Sequence, residues 1–148
     1  MSTRLTANDA MTSLAAHVAD KGGEIRQRYG PRLGWKELQA MLQDPACVRY
    51  PCEILFDTLG LEPGEMAHPV CRGERPEDGF SIYVHPVFMT QLERVPHLVL
   101  YQLVLVNYGD FASADDAEVF GSAALGISRE DYYQTLCELS DQLGCATG

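Results

Sequence analysis

Residues 95–106, with the sequence VPHLVLYQLVLV, decide the fold that we predict for this chain. Apart from His97, Tyr101 and Gln102 the segment is apolar, and Gly109 follows it closely. A helix that is apolar all round belongs in the middle of a core, and a proline in its first turn is tolerated because that position needs no helical N–H. The sequence therefore predicts a buried central helix over residues 96–108.

Three short strands are predicted before this helix, over residues 48–56, 66–71 and 80–84. In the first and the third, apolar and polar residues alternate, which is typical of a half-buried strand. Pro51 favours an edge position for the first strand, because proline cannot donate to a central hydrogen-bond ladder. Together these elements predict an α+β fold in which a small, mostly antiparallel sheet packs against the central helix.

Two helices are predicted to open the chain, over residues 8–29 and 35–42, because apolar residues recur there at three- and four-residue steps. Gly22 and Gly23 form a candidate break in the first of them, since glycine is a poor helix former.

Two further helices are predicted after the central one. Ser113 and Ser128 each lie three residues before an aspartate, a variant of the capping box, and Gly126 and Gly144 mark the expected helix ends. A chain of 148 residues without a linker or a repeat is expected to form one domain. We divide it into N-terminal helices (residues 1–45), a sheet with helices (46–126) and a C-terminal helix (127–148).

Charge and cysteine usage restrict the function. Asp and Glu total 21 against 11 Lys and Arg, a net charge of -10, so phosphate backbones and anionic membranes are repelled. We therefore expect no nucleic-acid and no membrane partner. The five cysteines include no CxxC pair, which favours reduced thiols over disulfides or a zinc site. With no signal-like N-terminus and no membrane-length apolar run, we expect a cytoplasmic protein.

The central segment resembles a known catalytic helix. Residues 95–106 are similar to the LPxVVxHELxHV helix of ImmA/IrrE-type zincin metallopeptidases, and residues 116–121, DAEVFG, are similar to their EANxFA segment. The resemblance covers roughly residues 48–126 and implies a zincin-like scaffold. A working site of this type needs two histidines one helical turn apart, a glutamate beside the first, and a third ligand from a later helix.

The residues at those motif positions differ from the family pattern. The resemblance places the two histidines at Tyr101 and Leu105, the general base at Gln102 and the third ligand at Asp116. Leucine has no lone pair, a neutral tyrosine is a poor zinc ligand, and glutamine cannot take up a proton. YQLVL in place of HExxH thus implies a scaffold with no metal, cofactor or catalytic residue. It is expected to act as an interaction or regulatory domain that binds a protein or peptide beside the central helix.

Other interpretations stay open at this point. The segment 98–106 also fits an ordinary core helix, with Gln102 hydrogen-bonded locally. An alternative function is a metal-dependent hydrolase whose site combines His85 and His97 with carboxylates between Asp110 and Glu118. Asn107, at the end of the helix, and Glu118 are further candidates for lining a cleft. A Cys/His nucleophile built on Cys52 or Cys71, and a subunit that functions only within a larger assembly, are the remaining alternatives.

Overall fold

The computed structural model describes the backbone of residues 6–147 and the side chains of residues 6, 14–109 and 111–144. Within them, helices and strands follow one another in the order α1 (Ala7–Tyr29), α2 (Trp35–Met41), β1 (Cys52–Phe56), β2 (Ala67–Cys71), β3 (Phe80–Val84), α3 (Val95–Tyr108), α4 (Ala114–Leu125) and α5 (Arg129–Thr147). The predicted α+β class is confirmed.

Helix α3 is the buried central helix that the sequence predicts. Eight of its 14 residues are buried, and they include Leu100, Leu103 and Val104. Gly109 ends it with a φ of +63°, which glycine adopts without the steric cost of a side chain. No described helix has both the length and the apolar character that a bilayer-spanning segment needs.

The three strands form one mixed sheet in the order β1-β3-β2. β2 pairs antiparallel with β3, but β1 runs parallel to β3, so the expectation of a mostly antiparallel sheet is corrected. The connection over residues 57–66 passes the end of β3 and places β2 on its far side. The Asp57 N–H donates to the Val84 carbonyl at 3.2 Å and the His85 N–H donates to the Met66 carbonyl at 2.9 Å, which fixes both ends of this connection.

β1 lies at one edge of the sheet, as Pro51 indicates. The strand begins at Cys52, later than predicted, because residues 44–48 form a turn in which two backbone N–H groups bond to the Asp44 carbonyl. The outer edge of β1 is partly occupied, since Gln43 Nε2 donates to the Cys52 carbonyl at 3.0 Å.

Helix α1 is continuous, so the predicted break at Gly22 and Gly23 is wrong. Gly22 is buried against α4, where a Cβ would lie 2.7 Å from both the Ala123 Cβ and the Phe120 carbonyl oxygen. A Cβ at Gly23 would meet nothing within 4 Å. Close packing of α1 on α4, and not a helix end, therefore explains the first glycine.

The predicted helix starts at α4 and α5 are confirmed. Ser113 Oγ accepts from the Asp116 N–H at 3.2 Å, and Asp116 Oδ2 accepts from the Ser113 N–H at 2.9 Å. Ser128 Oγ accepts the N–H three residues on at 3.0 Å. Gly126 ends α4 with a φ of +70°, as predicted. The predicted helix end at Gly144 is wrong, since α5 continues to Thr147 and Gly144 does not take a positive φ.

Candidate functional site

A cleft of about 270 Å³ lies beside α3, between that helix, the start of β2, α4 and α5. We call it the α3 cleft. Its apolar lining comes from Met66, Ala67, Leu98 and Leu136. Its polar lining comes from Glu65, Tyr101, Gln102, Glu118 and Tyr133.

Tyr101 and Gln102, two of the four positions singled out by the family resemblance, both line this cleft. Each is half-buried, and neither side chain has a hydrogen-bond partner among the described residues. The expectation of a local partner for Gln102 is therefore wrong within the described part of the chain. Burial raises the pKa of Tyr101, with help from the negative charges of Glu118 and Asp115, so its hydroxyl remains a neutral donor and acceptor.

Two carboxylates give the α3 cleft a negative lining. Glu118, on α4, has a side chain that is only 18% exposed and lies 3.5 Å from Arg129 Nη2. Glu65, before β2, accepts from the Glu62 N–H at 2.7 Å and lies 3.5 Å from His68 Nδ1. No lysine or arginine is found among the described residues that line the cleft.

Leu105 and Asp116, the other two positions, do not line the cleft. Leu105 is half-buried one turn further along α3. The Asp116 carboxylate is buried and bound to the N-terminus of α4, where it accepts from both the backbone N–H and the hydroxyl of Ser113. Because residues two apart on a helix point roughly 200° apart, Glu118 faces the cleft while Asp116 does not.

His85 and His97, the candidate metal ligands, have separate structural roles. His85 Nδ1 accepts from the Val87 N–H at 3.1 Å, and its ring lines a different cavity, of about 460 Å³, with the loop over residues 58–64. The His97 ring stacks on Tyr132 at 5.6 Å, and burial lowers its pKa. Among the described residues, no three His, Cys, Asp or Glu side chains are grouped to hold a metal ion.

The cysteine nucleophile considered from the sequence has no support from the electrostatics. Burial raises the pKa of the Cys52 thiol to about 11, so at neutral pH it remains protonated. Cys71 Sγ donates to the Arg75 carbonyl at 3.0 Å.

A second cavity, of about 300 Å³, lies where α1 meets the turn before β1 and the end of α3. We call it the α1 pocket. It receives His17 and Lys21 from α1, Arg49 from the turn, and Asn107 and Tyr108 from α3. Asn107, predicted as a candidate cleft residue, is thus in this pocket and not in the α3 cleft. The sequence could have indicated that His17 and Lys21 lie together, since they are four residues apart on one face of a predicted helix.

In comparisons with known proteins, no family model, no curated protein and no solved structure matches this chain. The function must therefore be argued from the residues of the two cavities themselves.

Proposed function

We propose that this chain is a non-catalytic interaction domain that holds an extended segment of a partner protein or peptide in the α3 cleft, along the free edge of β2. One observation carries the proposal. The half-buried side chains of Tyr101 and Gln102 face the cleft without a hydrogen-bond partner among the described residues. Their polar atoms are open to solvent, since the only polar side-chain atom that is both fully buried and unpaired among the described residues is His97 Nδ1. A polar ligand could therefore bond to them in place of water.

The backbone of β2 supports the same ligand. The Met66 carbonyl and the Arg72 N–H both bond to residues next to β3, so by the alternation of an antiparallel ladder Ala67, Pro69 and Cys71 direct their backbone groups outward. Their outward carbonyls make no hydrogen bond within the described chain. Pro69 fits this edge because it has no N–H to leave unpaired. An extended peptide could add as a further strand here, with side chains reaching the cleft at Ala67.

Charge indicates which peptide would fit. Glu65 and Glu118 line the cleft, and no lysine or arginine is among its described lining residues, in a chain with a net charge of -10. Arg129, 3.5 Å from Glu118, lies outside the lining. A lysine or arginine of the bound segment would complement these carboxylates, and the surrounding field would speed its approach. The apolar lining would take the neighbouring side chains. The proposed ligand is therefore an extended segment with one basic residue among apolar ones.

The family resemblance adds a rationale for such a cleft. A peptidase cleft already accepts extended chains by strand addition, so a zincin-like scaffold that has lost its metal ligands could keep binding without hydrolysis. Tyr101, Gln102 and Leu105 at the motif positions are consistent with that loss. We further propose that the protein acts in the cytoplasm, since Cys47, Cys52, Cys71 and Cys137 are all unpaired.

Selection from a displayed library of random eight-residue peptides tests the proposal. We expect the enriched peptides to alternate apolar residues around a lysine or arginine. Fluorescence anisotropy with one labelled, enriched peptide should then show about tenfold weaker binding to the Glu118→Gln and Gln102→Leu variants. Each substitution removes one charge-assisted or polar contact. Glu130→Gln is the matched control, because Glu130 is exposed on α5 and forms no ion pair with a described residue.

Three outcomes would contradict the proposal. They are a selection without enrichment, winners that bind Glu118→Gln and Gln102→Leu as tightly as the unchanged protein, and cleavage of the winning peptide when zinc or manganese is added. The last outcome would contradict the non-catalytic part specifically.

A further inference from the structure

We propose that the α1 pocket is a binding site for a small organic anion, with a phosphate or carboxylate head group held by Arg49 and Lys21. The inference is independent of the α3 cleft. Its basis is a separation of charge. Acidic residues outnumber basic ones 21 to 11 in the chain, yet Lys21 and Arg49 line the pocket and no carboxylate of the described side chains does. A concave site lined by one sign of charge concentrates ions of the opposite sign.

Arg49 is the principal cation of the pocket. It is exposed, and it forms no ion pair with a described carboxylate. Its guanidinium carbon lies 5.5 Å from the centre of the Tyr50 ring, a cation–π contact that orients the group without neutralising it. Arginine also presents paired donors that match the two oxygens of a carboxylate or phosphate. An anion in the pocket would therefore meet a guanidinium whose charge is still available.

Asn107 and Tyr108 supply neutral donors beside the cations. Asn107 Oδ1 accepts from the Arg49 N–H at 2.9 Å, which leaves the Nδ2 group of the same amide without an acceptor among the described residues. The Tyr108 ring meets the His17 ring edge to face at 5.5 Å. Burial raises the pKa of Tyr108, so its hydroxyl stays protonated and able to donate at neutral pH.

Two described carboxylates, Asp44 and Glu24, are engaged outside the lining of the pocket. Asp44 accepts from Arg28 Nη1 at 3.0 Å, from the Tyr29 hydroxyl at 2.6 Å and from the Ala46 N–H at 2.9 Å, so its charge is balanced and it stiffens the turn that forms the pocket wall. Glu24 pairs with Lys21 at 3.3 Å, but both side chains are largely exposed. Exposed pairs of this kind contribute little free energy, so Lys21 can exchange Glu24 for a ligand.

Size and lining limit the ligand to a small molecule. A cavity of about 300 Å³ holds one compact metabolite-sized anion, and the side chains of Val48 and Phe120 offer an apolar surface to its carbon part. A long polyanion would meet the repulsion of a protein with a net charge of -10. The site is therefore suited to a phosphate ester or a short carboxylic acid.

Isothermal titration at low ionic strength tests this inference with two probes, inorganic phosphate and succinate. We expect saturable binding of one or both, weakened by added salt, because screening reduces the attraction. Arg49→Gln should weaken it about tenfold, the loss of a charge-assisted contact, and Arg49→Lys should restore part of the affinity. Binding of phosphate alone would assign a phosphate head group, and binding of succinate alone would assign a carboxylate.

Arg32→Gln is the matched control, since Arg32 is an exposed cation outside the pocket. The same melting temperature for all variants would show that the fold is intact. The inference is overturned if neither probe binds saturably, or if Arg49→Gln binds like the unchanged protein, or if Arg32→Gln loses as much affinity as Arg49→Gln. Failure of this test leaves the peptide proposal untouched, because that site shares no lining residue with the α1 pocket.

Discussion

The α3 cleft and the α1 pocket are similar in size, about 270 and 300 Å³, but opposite in charge. Both use α3, the cleft through residues 98–102 and the pocket through Asn107 and Tyr108 at its end. Among the side chains that the structure describes, the cleft is lined by carboxylates without a lysine or arginine, whereas the pocket is lined by Lys21 and Arg49 without a carboxylate. The strongly negative net charge of the chain therefore does not describe the local electric field that a ligand meets in each cavity.

We expect the largest effect from a change in the packing of α1 on α4. We expect Gly22→Ala to lower the free energy of unfolding by about 1–3 kcal/mol, because its Cβ would push against Ala123 and the backbone of Phe120. Phosphate binding should fall with it, since α1 and Phe120 both line the α1 pocket. Urea unfolding followed by circular dichroism measures the change.

Gly23→Ala is the control for that substitution. Its Cβ meets nothing within 4 Å, so replacing glycine inside a helix should raise stability by about 0.5–1 kcal/mol. Equal effects of the two alanines would contradict the close α1–α4 contact.

The contact between α5 and α3 concerns the α3 cleft, which both helices line. The buried Tyr132 hydroxyl donates to the His97 carbonyl at 2.5 Å. We expect Tyr132→Phe to cost about 1 kcal/mol, the typical net value of one hydrogen bond, and to weaken peptide binding more than phosphate binding. Tyr133→Phe, at an exposed position on the same helix, should leave thermal stability nearly unchanged. A larger loss for Tyr133→Phe would contradict the assigned roles.

The turn that forms the wall of the α1 pocket should depend on pH. Bonds from Tyr29, the Ala46 N–H and Arg28 lower the pKa of Asp44 from 3.8 to about 2 in the folded protein. Since the folded pKa is depressed, the stabilisation is present above about pH 4 and is lost as pH falls towards 2. Asp44→Asn should therefore lower the melting temperature at pH 7, and the difference should shrink between pH 4 and pH 2. A difference that stays constant over that interval would contradict this assignment.

The smallest effects are expected when each substitution is tested with the ligand of the other cavity. These tests show whether the two cavities act independently. Glu118→Gln should change phosphate affinity by less than about twofold, and Arg49→Gln should change peptide affinity equally little, because the two cavities share no lining residue and substitutions without shared partners usually act independently. Titration of each variant with the other site's ligand measures this. A larger cross effect would mean that α3 couples the two cavities.

Features with a local cause could be predicted from the sequence. The capping box at Ser113, the N-cap bond at Ser128 and the helix end at Gly126 depend on residues within one turn. The same local reasoning failed at Gly22, where a contact with α4 decides, and at Gly144. The motif placed Asp116 at the third-ligand position, but its capping bonds hold it at the start of α4, and only Glu118, a further candidate from the sequence, lines the cleft.

The α+β class, the buried α3 and the edge position of β1 could be predicted from the sequence, since they depend on periodicity and proline placement along the chain. Three features depend on the folded chain. β1 runs parallel to β3. Tyr101 and Gln102 share a cleft with Glu118, and Lys21, Arg49 and Asn107 meet in a pocket. The physical reason is distance along the chain. Arg49 and Asn107 are 58 residues apart, and no local preference records that their hydrogen bond will form.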